Sequence, residues 1–194
     1  MKIATLLFTY HRSYHTEQVL LSLKNNTVLP EKLFIFQDGL KPDEDDCEWK
    51  KVNELIQKID WCENEIIISD YNKGLAASII SGVNYALEEY DAVIVLEDDC
   101  VSSQSFMQFM IQGLTQYKKN EKVYSISGYC WPLALKQNEY DAFCCGRVST
   151  LGWGTWKDRW AKFNRDNSII KRLKANQTES RNLAACSAAQ KILF

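Results

Sequence analysis

Ala92-Val-Ile-Val-Leu96 leads straight into Glu97-Asp98-Asp99. The five apolar residues, mostly β-branched or large, predict a buried strand. Three carboxylates at its C-terminal mouth do not belong to a core, and acids clustered on a buried strand repel one another. In an open α/β sheet, ligands bind beyond the carboxyl ends of the strands. Mg²⁺ and Mn²⁺ take oxygen ligands, usually one or two carboxylates together with substrate phosphates. The segment therefore suggests a metal, a phosphorylated substrate and the place where they meet. The plain alternative is a strand end closed by solvated acids.

The elements that would position these acids alternate along the chain. Residues 2–9 predict a first strand, followed by a helix with Ser13 as N-cap and Val19, Leu20 and Leu23 on one face. Residues 32–37 predict a second strand ending at Asp38-Gly39, and the acids of 43–46 suit the first turn of a helix carrying Trp49, Val52, Leu55, Ile56 and Ile59. A third strand over 65–69 precedes the turn Asn72-Lys73-Gly74 and a helix with Leu75, Ile79, Val83 and Leu87. After the acids come a helix marked by Phe106, Phe109, Met110 and Leu114, a fifth strand over 122–127 and a loop over 129–142. A short strand is expected over 143–150, then Trp153, Trp156, Trp160 and Phe163 near helical spacing.

Strands alternating with helices imply an α/β fold, a mostly parallel sheet with helices on both faces. Three strand ends carry polar residues that converge at one edge: Thr9 with His11 and Arg12, Asp38, and the acids 97–99. A nucleotide is expected there. No G-x-G-x-x-G follows the first strand, no G-x-x-x-x-G-K-[ST] occurs and no G-x-S-x-G occurs. A dinucleotide Rossmann domain, a P-loop and an α/β-hydrolase are disfavoured accordingly.

The 194 residues suffice for one sizeable domain, and 46% hydrophobic with 25% charged residues is the balance of a globular protein. A net charge of −2 argues against nucleic acid as a partner. Lys and Arg thicken between Lys157 and Arg181, a segment suited to a solvated helix face or to peripheral contact with anionic lipid. No stretch approaches the ~20 apolar residues of a membrane span, and the apolar start is read as a strand. The seven cysteines contain no C-x-x-C pair, so free thiols in a reducing cytoplasm are expected rather than a zinc site.

At this point the chain resembles a glycosyltransferase of the GT-A fold, the Rossmann-like fold of nucleotide-diphospho-sugar transferases. It is most similar to glycosyltransferase family 2 and the N-acetylglucosaminyltransferase I group. The likeness rests on Thr9-Tyr-His-Arg12, Phe36-Gln-Asp-Gly39, Asn72-Lys-Gly-Leu75, Leu96-Glu-Asp-Asp99 and Leu151-Gly-Trp153 with Trp156 and Trp160, in that order along nearly the whole chain. It implies a single domain over 1–194, with a nucleotide-binding half over 1–100 and an acceptor-side half over 101–194. The apolar end at Phe194 would be explained by an acceptor half that is incomplete here.

The resemblance implies inverting transfer of a hexosyl or N-acetylhexosaminyl group from a nucleotide-sugar donor, UDP-sugar favoured, to a glycan or lipid-linked acceptor, with Mn²⁺ or Mg²⁺. Asp38 would accept from uracil N3–H, a bond that cytosine N3 cannot make; a turn-forming role before Gly39 is compatible with it. Thr9, Arg12, Asn72 and Gly74 would line the nucleotide, with Lys73 either beside it or solvated. Asp99 would ligate the metal and Asp98 would contact the ribose or a metal-bound water, while Glu97 stands where such motifs often begin with Asp. Gly152 and Trp153 would meet the sugar or acceptor; Trp131 and Trp156 share the alternatives of platform or core. The acceptor base would follow the Gly-Trp segment, where Asp158 and Asp166 are the candidates, outside the Trp-Asp-Asp-Trp context of the group; the alternative is a base beyond Phe194. Two other readings stay open: a domain binding a nucleotide sugar without catalysis, and a nucleotidyltransferase, whose Gly-rich loop after the first strand is missing.

Overall fold

The computed structural model describes residues 1–130 and 142–164. The first strand, β1 (Ile3–Thr9), is followed by α1 (Ser13–Lys24), β2 (Leu33–Gln37), α2 (Cys47–Ile56), β3 (Asn64–Ile68) and α3 (Leu75–Glu89). Then come β4 (Ala92–Glu97), α4 (Phe106–Gln116), the two-residue β5 (Ile126–Ser127), β6 (Trp153–Trp156) and the short α5 (Lys157–Trp160). The six strands form one sheet in the order β3-β2-β1-β4-β6-β5. β1 pairs in parallel with β2 and β4, and β2 in parallel with β3. β6 runs antiparallel to both β4 and β5. The described residues fall into two units, 1–129 with 150–161, and 130 with 142–149 and 162–164. All elements named here lie in the first.

Side chains alternate across each strand, so the sheet has two apolar faces. Leu7, Ile35, Ile94 and Leu96 meet Val19 and Leu23 of α1, Val52 and Ile56 of α2, and Met107, Met110 and Leu114 of α4. Ala4, Leu6, Phe8, Phe34, Val93 and Val95 meet Val83, Ala86 and Leu87 of α3. This two-sided burial explains why β4 is apolar at every position rather than at alternate ones.

Three sequence expectations are corrected. The strand expected over 122–127 reduces to Ile126–Ser127, because only those residues find a partner in β6. Tyr124 is exposed and tied instead through its carbonyl, which accepts from Thr155 Oγ1 at 2.8 Å. No strand forms over 143–150. Trp153 and Trp156 lie on a strand, not a helix, and a spacing of three on a strand sends them to opposite faces. Trp156 joins the α4 side and Trp153 the α3 side.

Two helix starts also shift. α1 begins at Ser13 itself with Arg12 at the cap position, and Ser13 Oγ donates to Glu48 of α2 at 2.5 Å. The acids of 43–46 precede α2, whose first turn holds only Glu48 as an acid. Trp131, Asp166, the basic stretch beyond residue 164 and the apolar end at Phe194 lie outside the described residues.

Candidate functional site

The chain leaves β1 toward β2 and β3 on one side, and β4 begins the other side. The order of the strands thus reverses between β1 and β4, which opens a crevice at their carboxyl ends. Register fixes what meets there. Phe8 lies beside Glu97, and Thr9 beside Gln37. Thr9-Tyr-His-Arg12 therefore sits between Asp38 on one flank and Asp98-Asp99 on the other.

Arg12 bridges the crevice. Its Nε donates to Asp98 Oδ2 at 3.2 Å, one terminal nitrogen donates to Asp98 Oδ1, and the other donates to Asp99 Oδ2 at 3.0 Å. Such a fork holds a carboxylate by two parallel bonds and is among the stronger ion pairs. The Asp98 side chain is only 6% exposed, while those of Arg12 and Asp99 are 43% and 42% exposed. The Asp98 hydrogen bond holds the Arg12 guanidinium still more firmly protonated. Burial, and then the charges of Asp99 and Asp98, push the Glu97 carboxyl above the usual carboxylate range. The cluster thus has one anchored acid, one half-open acid and a third that resists ionisation. The ion pair was the feature missed from sequence. Its signal is topological: residues following β1 and β4 become neighbours once those strands are adjacent.

Asp38 is a buried junction between loops. Its Oδ1 accepts from the backbone N–H of Gly39 at 3.1 Å and of Lys73 at 2.9 Å, and its Oδ2 accepts from the N–H of Gly74 at 2.9 Å. Its own carbonyl accepts from Trp49 Nε1 at 2.8 Å. The turn role and a ligand role remain compatible, because a carboxylate offers about four lone-pair sites and three are filled. Asn72 Nδ2 donates to the Gly39 carbonyl at 2.8 Å, and Thr9 Oγ1 contacts the Phe36 carbonyl at 3.4 Å. Both are therefore part of the scaffold that carries Asp38.

Two glycines shape this edge. A Cβ on Gly39 would lie 2.4 Å from the Tyr71 backbone, so only glycine lets the loops after β2 and β3 touch. Gly74 has φ +76° and caps α3, a conformation that L side chains adopt at a cost. A Cβ there would meet nothing within 4 Å, so the position is open to an approaching group.

On the other flank, Gly152 comes before β6 and lies beside the acid end of β4, its carbonyl accepting from the Gly128 N–H at 2.7 Å. Trp153 pairs with Val95 and is only 7% exposed, tilted against Trp160 with ring centroids 5.9 Å apart. It is packed in the core rather than offered as an open platform. Its Nε1 is buried without a hydrogen-bond partner.

The expectation for Asp158 is corrected by register. Trp156 pairs with Ala92, and the Lys157 N–H donates to the Asp91 carbonyl at 2.9 Å. Asp158 thus lies at the amino end of β4. The six-residue strand separates that end from Glu97 by about 17 Å. There Asp158 is 59% exposed and pairs with Arg159 at 2.9 Å.

Among the described residues, no group of three or more His, Cys, Asp or Glu is arranged to hold a metal ion by itself. A hard cation that shares its shell with a diphosphate needs only one or two carboxylates. Asp98 and Asp99 supply that donor set, and the guanidinium seated on both is already a cation in that position. Burial pushes the Cys100 thiol up, so the next residue adds no soft thiolate. By donor chemistry the residues present fit Mg²⁺ or Mn²⁺.

No protein-family model matches the chain, and no curated protein matches it. Solved structures do. Over 81% of its residues the chain overlays residues 1–349 of TarS from S. aureus in complex with UDP, with TM-score 0.53 and 11% identity. The same protein in complex with UDP-GlcNAc overlays with TM-score 0.51 and 12% identity. A mannosyltransferase from Pyrobaculum calidifontis in complex with GDP-Man and Mn²⁺ overlays at 0.48, too low to argue a shared fold, with 13% identity over 65% of the chain. The chain covers 47%, 46% and 34% of these structures, less than half of each. The sheet and its flanking helices are the GT-A fold.

Proposed function

We propose that this chain is a glycosyltransferase that moves a sugar from a nucleotide-diphosphate donor, UDP-sugar in preference, to a hydroxyl of a glycan or lipid-linked acceptor. The observation that carries the reading is the carboxyl edge of the sheet, where Arg12 after β1 pairs with Asp98 and Asp99 after β4, and Asp38 follows the neighbouring strand β2. In this reading the spare lone pair of Asp38 accepts from uracil N3–H, and the open backbone at Gly74 lets the nucleotide approach. Asp99 holds Mn²⁺ or Mg²⁺, with Asp98 beside it. A bound divalent cation supplies charge neutralisation for the diphosphate leaving group. Arg12 adds positive charge at the same mouth. The acceptor hydroxyl must also lose its proton to a base. That base is not Asp158, given its place at the far end of β4.

This last point favours one second reading, a domain that binds a nucleotide sugar without transferring it. Calorimetric titration of UDP, UDP-sugars and GDP-mannose, each with and without Mn²⁺, together with a UDP-release assay across varied acceptors, separates the two. Metal-dependent UDP binding with release supports transfer. Binding without release supports the second reading. A flat response to every nucleotide, with metal or without, overturns both.

A further inference from the structure

We infer that Arg12 is a built-in counter-cation that competes with the divalent metal for Asp98 and Asp99, so that loading the site requires the guanidinium to let go of Asp99. The inference rests on the metal reading proposed above and adds a role for this chain's own arginine. The geometry is unequal in a way that suits such a switch. Asp98 is buried and held by two nitrogens, whereas Asp99 is half exposed and held by one, at 3.0 Å. Arg12 itself stands at the cap of α1 with its side chain 43% exposed, so solvent is available to it on release. Arginine stays charged at any working pH, so this competition cannot be relieved by deprotonation.

A metal at Asp99 and a guanidinium on the same oxygen repel and exclude one another. The single NH1 bond is the weaker attachment and breaks first, while the fork on Asp98 keeps the guanidinium at the mouth. The freed NH1 then faces the position where a diphosphate would bring negative charge. Arg12 is a positioning residue in this scheme. It sets the affinity for bare metal and couples metal entry to the arrival of an anionic ligand.

The test is Mn²⁺ binding by electron paramagnetic resonance, with thermal unfolding followed with and without Mn²⁺, on wild type, Arg12→Gln and Arg12→Lys. Removing the competing charge in Arg12→Gln should tighten binding of Mn²⁺ alone by about tenfold, and Mn²⁺ should raise its melting temperature more than that of wild type. Arg12→Lys keeps the charge but loses the fork, so its affinity for Mn²⁺ should fall between those of wild type and Arg12→Gln. Wild-type binding that is equalled or exceeded in weakness by Arg12→Gln overturns the role of Arg12 alone. Absence of Mn²⁺ binding in all three proteins overturns the metal reading and this inference together. A merely structural Arg12 predicts loss of stability in Arg12→Gln that Mn²⁺ does not restore.

Discussion

Asp99 and Asp38 are both acids at strand ends, yet they are built for different work. Asp99 is half exposed and keeps little besides Arg12. If it holds the metal, Asp99→Ala should lower sugar transfer by at least about a hundredfold, measured as UDP release at saturating Mn²⁺. Asp38 is buried and accepts three backbone N–H groups from two loops. Asp38→Asn puts an amide N–H against at least one of those donors. The expected loss is about 1–3 kcal/mol of stability, read by denaturant unfolding. The substitution therefore has to be scored for stability before any loss of UDP binding is charged to base recognition.

At the scale of elements, helix pairing and sheet closure give separable predictions. Glu48 in α2 is held down to about 2, first by Lys51 and then by the Ser13 hydroxyl of α1. A carboxyl depressed in the folded state stabilises above its ordinary value near 4.5 and loses that contribution as pH falls through about 2. Glu48→Gln should thus melt lower than wild type at pH 7, with the difference vanishing near pH 2 and shrinking at high salt. Gly154 in β6 is different: a Cβ there would lie 2.7 Å from the Val93 carbonyl. Gly154→Ala should cost about 1–3 kcal/mol, measured by thermal unfolding at any pH where the protein is folded.

The elements most legible in the sequence were those whose apolar pattern had one interpretation. β1, β2 and β4 are unbroken apolar runs ending in polar residues, and α3 and α4 keep helical spacing. β6 was not legible, because Trp-Gly-Thr-Trp reads equally as a helix with Trp at i and i+3. What decides it is a long-range partner, β4, which no local pattern contains. Asp158 came to the site through the family resemblance alone, and its position in space depends on which way β6 runs. The position of Asp38 after β2 and of Asp98 and Asp99 after β4 was legible, because each follows an unbroken apolar run. The bridging by Arg12 was not, because an ion pair between residues 86 and 87 positions apart follows from topology rather than composition.

As a whole, the molecule places its candidate ligand contacts on loops after β1, β2, β3 and β4, fixed by a sheet buried on both faces. Ligand binding to such a frame adds to its stability by mass action. With UDP and Mn²⁺ at about a hundred times their dissociation constant, the gain is about 2.7 kcal/mol. For a chain of this size that corresponds to a rise in melting temperature of about 5–11 °C. Differential scanning calorimetry should find this shift with UDP and Mn²⁺ and a smaller one with either alone. Among the described residues no helix is long and apolar enough to cross a membrane.

The strand that corrected the reading of Asp158 also has a history during synthesis. β4 lies in the middle of the sheet, with β1 on one edge and β6 on the other. Its first partner is already made when it emerges, but its second is not. Residues 98–152 must all be translated before β6 appears. At about 5–20 residues per second, the apolar edge of β4 waits roughly 3 to 11 s with its backbone unpaired. An open, flat, apolar edge is a template for pairing with other chains. The acids that follow Leu96 and the α4 helix that covers one face are made during that interval.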